Sequence, residues 1–332
     1  EIEFSDWSSD VCSSDLAFVT LLALASAMDF NAWTAKFNKK YNGAEALRRR
    51  AIFTMNAKLV ATQNKVNGFE MSVDGPFAAM TNAEYRANLK ATRVAEEAQA
   101  NVETLKADYP ESLDWRSQGK ITPIRDQAQC GSCYTFGSVA ALEGRLLMQY
   151  SNLDKNTLDL SEEQLVQCSR SLGNNGCNGG LGTKVYKYIQ KNGIVREKDM
   201  PYTAKDGRCT VDLSKKYAGI SGYKNVASKN TEQLKAALTE GVVDVSIDAS
   251  SYKFQLYKTG VYTDTKCGTS IMDLNHEVAC VGYGKENGQE YWIVRNSWGT
   301  SWGDKGYIKM AIKGNTCGVS TDPIYPVGVK LF

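Results

Sequence analysis

The sequence predicts an α+β protein in which a mainly helical half precedes a half built from short strands. Apolar residues between Ser132 and Tyr150 form one long helical run. After about residue 215 the pattern changes to short β-branched and aromatic runs, such as VVDVSID (242–248), EVACVGYG (277–284) and YWIVRNSW (291–298). Strands that follow a helical half indicate two subdomains, and we expect a cleft between them.

Composition and charge exclude several classes of protein. The 332 residues include 39 Lys and Arg against 37 Asp and Glu, a net charge of +2, so nucleic-acid binding through bulk positive charge is not expected. The 42% hydrophobic content is ordinary for a globular protein. The chain has nine cysteines but a single histidine, His276, which excludes any site that needs two imidazoles. Any histidine-based chemistry must therefore use His276, and we expect the protein to need no metal and no cofactor.

The amino-terminal region has the pattern of an export signal. The apolar run LAFVTLLALASAM (16–28) is too short to span a bilayer, which takes about 20 residues. Its Ala-Ser-Ala sequence is what signal peptidase reads, so residues 16–27 are interpreted as a signal peptide. Residues 1–15 are acidic rather than basic, and we expect them to be a leader foreign to the protein; a disordered native leader is the alternative. Cys12 is therefore left out of the disulfide set, although a secretory route favours disulfides elsewhere.

The region that follows is helical in pattern and contains no cysteine between residues 29 and 106. Six residues spaced three or four apart lie on one helix face, and they are Glu45, Arg49, Phe53, Asn56, Val60 and Asn64. A face that mixes charged, amide and aromatic groups suits a helix whose polar side chains bind specific partners. Residues 91–106 have few large apolar side chains and are interpreted as an exposed helix or a linker.

The densest chemical motif is QAQCGSC (127–133). Glycine and serine precede a long apolar helix, so we expect Cys133 in the first helical turn, where the partial positive charge lowers the pKa of a thiol. Cys130 and Cys133 also form a CxxC pair, which leaves three interpretations open: a redox pair, part of a zinc site, or a disulfide partner beside a nucleophile. A redox pair would follow a βαβ unit, and a zinc site would need more ligands than this CxxC supplies. The third interpretation requires a base.

His276 is the only imidazole that can serve as that base. A lone histidine is most often a surface residue or a satisfied core residue, but the asparagine, serine and tryptophan at 296–298 follow the end of another apolar strand. An amide can hold the orientation of an imidazole, and an indole can shield that hydrogen bond from water. Cys133, His276 and Asn296 therefore form the pattern of a nucleophile, a base and an orienting group.

With the cysteine motif at 127–133 followed by His276 and Asn296, the chain resembles the papain family of cysteine proteases. Within that family it is most similar to the cathepsin-L-like enzymes of amoebae. The resemblance covers nearly everything from residue 29 to 332. The other matching motifs are DWR (114–116), LSEEQLVQC (160–168), GCNGG (176–180), FQLY (254–257) and NSWGTSWGDKGYI (296–308). The helix face at 45–64 resembles the ERFNIN signature of the family's propeptide, with Val60 in place of isoleucine.

The resemblance implies a papain-like fold of two subdomains, a helical left domain and a β-barrel-like right domain, preceded by a helical propeptide. The implied boundaries are an inhibitory propeptide at 28–109 and a peptidase domain at 110–332. Within the peptidase domain, residues 110–215 form the helical subdomain and residues 216–332 form the β subdomain.

The resemblance also assigns roles to residues. It makes Cys133 the nucleophile, His276 the general acid and base, and Asn296 the orienting group. Gln127 would donate its side-chain amide to the oxyanion hole alongside the backbone N–H of Cys133. The implied substrate-binding residues are Gly179, Gly180, Trp298 and Asp322. Taken alone, the two glycines would be interpreted as a turn.

Three disulfides are implied by the same resemblance: Cys130–Cys177, Cys168–Cys209 and Cys267–Cys317. Sequence alone leaves the pairing of six cysteines open. Cys280 remains over in an apolar strand, where we expect it to be a small buried hydrophobic residue.

The chain departs from the family at three places. Tyr134 stands where most relatives have tryptophan. The second propeptide motif, GxNxFxD, is represented by Val73, Gly75, Phe77 and Ala79, so its acidic residue is missing and we expect no pH-triggered release through it. Asp322 matches the floor of the S2 pocket, where a carboxylate would favour a basic P2 residue; the alternative is a solvated loop aspartate. By analogy Glu277 lies near the same pocket.

The function implied by the resemblance is a cysteine endopeptidase made as a zymogen and acting on protein and peptide substrates. We expect a monomer in the secretory pathway, in lysosome-like vesicles or secreted, with its propeptide and cystatin-like proteins as inhibitors and no stable membrane span. A catalytically inactive binding protein on the same fold would normally have a substituted cysteine or histidine. A zinc-binding structural module would purify with metal.

Overall fold

The computed structural model describes residues 29–90, 102, 104–106 and 108–332, so the expected leader, signal peptide and most of the 91–106 segment lie outside the described residues. The α-helices are α1 (Phe30–Lys36), α2 (Gly43–Gln63), α3 (Asn82–Arg86), α4 (Cys133–Gln149), α5 (Glu162–Cys168), α6 (Gly182–Asn192), α7 (Thr231–Thr239) and α8 (Tyr252–Gln255). The strands are β1 (Phe69–Met71), β2 (Leu113–Asp114), β3 (Ala218–Gly219), β4 (Gly222–Asn225), β5 (Val243–Ile247), β6 (Tyr257–Tyr262), β7 (His276–Glu286), β8 (Gln289–Arg295), β9 (Tyr307–Ala311), β10 (Ile324–Val327) and β11 (Lys330–Leu331). Among these helices none is both long and apolar enough to cross a membrane.

The main sheet has the strand order β1-β6-β9-β8-β7-β5-β10-β4, with β2 paired to β7. Its pairs are antiparallel except β6 with β9. The three longest sequence-predicted strands correspond to β5, β7 and β8, and the α+β prediction is confirmed. The sheet also takes its edge strand β1 from the propeptide-like region, which the sequence pattern did not suggest.

The protein has two large hydrophobic cores, one in the sheet half and one in the helical half. One fills the sheet half and includes Phe254, Trp292 and Trp302. The other surrounds α4, α5 and α6. Segments of each half also pack in the other half. Strand β2, which precedes the helices of the helical half in the chain, pairs with β7 of the sheet half. Ala218 and Val329, from the strand-rich half of the chain, pack in the helical core. These exchanged segments bury apolar surface between the halves.

The central helix is α4, which is buried along its length except for its last two residues. Such all-round burial is typical of a helix inside a larger core rather than on the surface. It packs between the helical core and the strands β5 and β7. Its amino end therefore has a defined position relative to the sheet.

Three disulfides link Cys130 to Cys177, Cys168 to Cys209 and Cys267 to Cys317, the pairs that the resemblance implies. Within the described chain, Cys133 and Cys280 are outside these bonds, and both are buried. Burial raises the pKa of the Cys280 thiol to about 12, so this side chain behaves as a small apolar group.

The propeptide-like region has its own core, in which Phe53 of α2 packs at 5.7 Å, ring centre to ring centre, against Trp33 of α1. The amides on the predicted helix face bind backbone groups. Asn56 donates through Nδ2 to the carbonyls of Ala78 and Met80 at 2.8 and 3.0 Å. Asn64 exchanges two hydrogen bonds, of 2.8 and 2.9 Å, with the backbone of Met71. The prediction that this face binds specific partners is confirmed.

Arg49 is the charged centre of the same face. Its guanidinium contacts Glu45 at 2.6 Å and Glu84 at 2.8 Å, and it donates to the Ala79 carbonyl at 2.9 Å. Partial burial alone would raise the pKa of Glu84, but hydrogen bonds from Thr81 and the charge of Arg49 outweigh it and lower that pKa to about 2. Although Ala79 replaces the motif's acidic residue, Arg49 is therefore neutralised by carboxylates on helices α2 and α3.

We predict that Glu84→Gln destabilises the propeptide-like region, as measured by thermal unfolding of a chain that also carries Cys133→Ser. Because the folded-state pKa of Glu84 is lowered from 4.5 to about 2, its stabilisation is fully present above pH 4.5 and is lost as the pH falls towards 2. The drop in unfolding midpoint should thus be similar at pH 7 and pH 5 and smaller at pH 3. Glu45→Gln, which removes a more exposed partner of the same arginine, is the matched control and should have less effect. Equal effects of the two variants would contradict this ranking.

Candidate active site

Cys133 is the first residue of α4 and is 1% exposed. The loop before it is fixed by the Cys130–Cys177 disulfide and by a hydrogen bond of 2.8 Å from the Gly131 amide to the Cys177 carbonyl. A buried helix of 17 residues presents the positive end of its dipole at this position. The fold therefore places the Cys133 thiol in the first turn of α4, the position that the sequence predicts.

His276 is the first residue of β7, and it lies at the same end of the α4–β7 contact as Cys133. One turn into α4, Gly137 lies so close to β7 that an added Cβ would be 3.3 Å from both the Glu277 side chain and the Val278 amide nitrogen. This close approach brings together the starts of two elements that are far apart in sequence.

The orientation of His276 is set by Asn296 and Trp298. Nε2 of His276 lies 2.8 Å from Oδ1 of Asn296, which also accepts the Ser297 amide at 2.8 Å. An amide oxygen can only accept, so Nε2 carries the proton and Nδ1 is left for proton exchange. The indole of Trp298 stacks on the imidazole at 4.5 Å with an interplanar angle of 20°. The amide therefore orients the ring and the indole covers it.

Gln127 is held by the same segment. Its backbone amide donates to the Ser297 carbonyl at 2.8 Å, and the Ser297 hydroxyl donates to its Oε1 at 2.6 Å. Its Nε2 donates one hydrogen to the Cys130 carbonyl at 2.8 Å, which leaves its second hydrogen for another acceptor. Sequence reasoning missed Ser297, because a serine between two recognisable motif residues carries no signal about which side chain it contacts.

The two glycines of the predicted substrate site each allow a close contact that a side chain would block, but with different parts of the structure. Gly179 has a φ of +104°, and an added Cβ there would overlap the backbone carbonyl of Lys90. An added Cβ at Gly180 would be 2.6 Å from Oδ1 of Asn174 and 2.8 Å from the Tyr134 ring. Gly179 therefore permits the close approach of a second stretch of backbone, and Gly180 permits internal packing.

The propeptide-like region covers this site. Phe77 and Tyr85 meet Trp298 edge-on at 4.9 and 5.8 Å. The Tyr85 hydroxyl donates to the Ala249 carbonyl at 2.7 Å, and Gln255 donates to the Phe77 carbonyl at 3.1 Å. The sequence placed Phe77 in a motif but did not indicate that it would contact Trp298.

In this covered form His276 is 1% exposed. Burial lowers the pKa of His276 to about 4, and the hydrogen bond to Asn296 opposes that change only in part. In this form of the protein the imidazole is therefore neutral at pH 7.

The two carboxylates expected near the S2 pocket are both buried. Asp322 is 7% exposed and lies just before β10, so the alternative of a solvated loop aspartate is wrong. Glu277 accepts a hydrogen bond of 3.3 Å from the Gly182 amide, and an added Cβ at Gly182 would be 2.7 Å from the Asp244 carboxylate. Asp244 in turn accepts from the Ser138 hydroxyl at 2.8 Å. Two buried carboxyl groups therefore lie beside the start of α6.

One further group of acidic residues has the spacing of cation ligands. Among the described residues, Asp159, Glu162 and Glu197 place one oxygen each within 4.8 Å of one another. Arg125 already contacts Asp159 at 2.6 Å, and burial raises the pKa of Glu162 well above its usual range. We interpret the group as one ion pair, Arg125 with Asp159, beside a Glu162 carboxyl group whose burial favours the protonated form.

Comparison with known proteins gives two family matches. Residues 109–327 match the model described as papain family cysteine protease, and residues 30–85 match the cathepsin propeptide inhibitor domain (I29). Cysteine proteinase 2 of Entamoeba histolytica is 63% identical over 314 residues, which is 95% of this chain and 99% of that protein. Cysteine proteinase 1 of the same organism is 58% identical over 313 residues, or 94% and 98%. The solved structure of digestive procathepsin L 3 from Tenebrio molitor larval midgut has a TM-score of 0.80 at 34% identity, covering 90% of this chain and 97% of that one.

We predict that the imidazole of His276 titrates near pH 4 while the propeptide region is in place. The chain has a single histidine, so one NMR resonance reports it without assignment by mutation. Burial lowers the pKa of His276 from 6.5 in the unfolded chain to about 4 in the folded chain, so folding favours the neutral ring. The stability that the neutral ring contributes is fully present above pH 6.5 and is lost as the pH falls towards 4. The measurement uses the Cys133→Ser zymogen, with the unfolded chain in denaturant as the reference. A titration midpoint at or above 6.5 in the folded zymogen would contradict the prediction.

Proposed function

This chain belongs to the papain family of cysteine proteases, and we propose that it is the zymogen of an endopeptidase in which Cys133 is the nucleophile. Its class, a cysteine-type peptidase made with an inhibitory propeptide domain, follows from the family matches. The observation that best supports the catalytic assignment is the contact of 2.8 Å between His276 and Asn296, beneath Trp298 and beside the start of α4. We place the propeptide at residues 28–109 and the peptidase domain at 110–332.

In the proposed acylation step, the Cys133 thiolate attacks the carbonyl carbon of the scissile peptide. The carbonyl oxygen becomes an oxyanion, which accepts hydrogen bonds from the Cys133 amide and the second hydrogen on Gln127 Nε2. The imidazolium of His276 gives its Nδ1 proton to the leaving amine, and the C–N bond breaks. A thioester on Cys133 and a neutral imidazole remain.

Deacylation reverses the proton movement. A water molecule gives a proton to Nδ1 of His276 and attacks the thioester carbonyl carbon, through a second oxyanion held by the same two donors. The C–S bond breaks, and the released thiolate is again paired with an imidazolium. Throughout the cycle Asn296 holds Nε2, so only Nδ1 exchanges protons. This division of roles is supported by the hydrogen bond from His276 to the Asn296 oxygen.

The propeptide would inhibit by occupying the same surface that substrate needs. Its backbone at Lys90 lies against Gly179, and its Phe77 and Tyr85 pack on Trp298. A propeptide anchored by its own core and by strand β1 would block substrate until it is cleaved.

We also propose a preference for a basic residue at P2. Asp322 is a buried carboxyl group at the position that matches the floor of the S2 pocket, and a guanidinium is the side chain that pairs best with a carboxylate. Glu277, adjacent to His276, adds a second buried carboxylate on β7. Both features favour arginine over leucine or phenylalanine in this pocket.

The expected setting is the secretory pathway, in lysosome-like vesicles or outside the cell. Three disulfides suit an oxidising compartment. We expect the mature enzyme to act as a monomer on protein and peptide substrates and, as the family resemblance implies, to bind cystatin-like inhibitors.

We predict that one equivalent of a thiol-alkylating epoxide labels Cys133 after propeptide removal and abolishes hydrolysis. Cys133→Ala and His276→Ala should abolish hydrolysis, and Gln127→Ala should lower kcat about 10²-fold or more, because one oxyanion donor is lost. Cys280→Ala is the matched control, since its buried thiol has a raised pKa and no catalytic role. Retained hydrolysis in His276→Ala would contradict the proposal, because the chain has no second imidazole. Stoichiometric labelling without hydrolysis would instead favour an inactive binding protein.

We predict that Asp322→Ala reduces the preference for arginine over leucine at P2 about tenfold, because the pocket loses its charged partner. The measurement is kcat/KM on paired peptides that differ only at P2. Glu232→Gln, which removes an exposed carboxylate on α7, should leave the ratio unchanged. The specificity assignment would be overturned by an unchanged ratio in Asp322→Ala, whereas the catalytic assignment would stand.

A further inference from the structure

The hydroxyl of Tyr202 lies between the two chain segments that carry the proposed oxyanion donors. It is 2.8 Å from the backbone carbonyl of Gln127 and 2.7 Å from the hydroxyl of Ser132, the residue before Cys133. A carbonyl can only accept, so the tyrosine proton goes to Gln127 and the Ser132 hydroxyl must donate to the tyrosine oxygen. One continuous chain of hydrogen bonds therefore connects Ser132 to Gln127.

Both ends of this series of hydrogen bonds are at backbone positions that need stabilisation: an N-cap without a capping hydrogen bond and a strained turn. Ser132 is the N-cap residue of α4, yet its hydroxyl makes no capping hydrogen bond to the helix and is directed to Tyr202 instead. At the other end, the Gln127 carbonyl belongs to the peptide that precedes Ala128, whose φ of +50° is in the strained left-handed region. Tyr202 therefore holds a strained turn on one side and the start of α4 on the other.

The backbone and ring of Tyr202 are fixed by further contacts. Its backbone amide donates to Glu197 at 2.7 Å, and the next residue, Thr203, donates through its backbone amide and hydroxyl to Glu163 at 3.0 and 2.8 Å. Its ring meets the ring of Phe136 edge-on at 5.0 Å, and Phe136 lies one turn after Cys133 in α4. Burial raises the pKa of the Tyr202 hydroxyl, so it stays protonated and can donate at any working pH.

We propose that Tyr202 is a positioning residue that sets the distance and angle between the Gln127 side chain and the Cys133 amide. This inference rests on the proposed function. An oxyanion is stabilised only by donors that are already in place, and an error of about 1 Å in such a site can cost about 10²-fold in rate. Ser297 fixes the side chain of Gln127, and Tyr202 fixes its backbone relative to α4.

The test compares Tyr202→Phe with the parent in the mature enzyme. The variant keeps the ring contact with Phe136 and loses only the hydroxyl. We expect kcat/KM to fall by about three- to tenfold, chiefly through kcat, because the net worth of such hydrogen bonds is modest. Binding of a peptide aldehyde, whose adduct with Cys133 carries an oxyanion, should weaken by the same factor. Alkylation by iodoacetamide, which forms no oxyanion, should keep its rate and pH profile.

Three further variants make the result specific. Tyr188→Phe removes another hydroxyl that hydrogen-bonds a side chain, that of Gln164 in the helical half, and should leave all three measurements unchanged. In a Gln127→Ala background, Tyr202→Phe should add little, because the donor that it positions is already gone. If Tyr202→Phe does not fold, Ser132→Ala breaks the same hydrogen-bond chain at its other end and should give the same selective pattern.

The outcomes separate this inference from the proposed function. Unchanged hydrolysis in Tyr202→Phe, full additivity with Gln127→Ala, or an equal slowing of iodoacetamide alkylation would each overturn the positioning role while leaving the enzyme assignment intact. Absence of hydrolysis in the parent, or normal hydrolysis in Gln127→Ala, would instead contradict the proposed oxyanion site, and the positioning role would fall with it.

Discussion

The close contact between α4 and the sheet is the constraint on which the rest of the site depends. Gly137 and Gly144 lie two turns apart on the face of α4 that meets β5 and β7. An added Cβ at Gly144 would overlap the Val242 side chain, and one at Gly137 would be 2.9 Å from Asp244. Larger residues would move the helix off the sheet. Because close-packed helices do not slide freely, the amino end of α4 stays beside the first residue of β7.

The covering of the site and its chemistry are physically linked. Aromatic residues of the propeptide region pack on Trp298, which stacks on His276, and burial of this imidazole in the covered form favours its neutral state. The proposed mechanism needs the imidazolium, which requires water or a charged partner nearby. Removal of the propeptide would therefore open the cleft and restore the solvent that allows His276 to carry a proton.

How far the fold and the site could be predicted depended on whether the signal was local. The start of α4 at Cys133 follows from glycine and serine before an apolar run, and the partner-binding face of α2 follows from helical spacing. By contrast, Ala79 in place of the motif's acidic residue leads us to expect no pH-triggered release through that motif. The structure shows that Arg49 instead pairs with Glu45 and Glu84. The pair with Glu45 has the i, i+4 spacing of one helix, but Glu84 lies on α3, so spacing along α2 could not reveal that second contact.

The sequence by itself determined the helix and strand pattern, the single available imidazole and the chemistry of the cysteine loop, since each depends on residue type and short-range spacing. Only the tertiary structure decided that Ser297 holds Gln127, that Tyr202 joins Gln127 to Ser132, and that strand β1 extends the sheet. These contacts join segments that are distant in the chain. A hydroxyl or a strand edge has many possible partners, and the packing of the whole fold selects one of them.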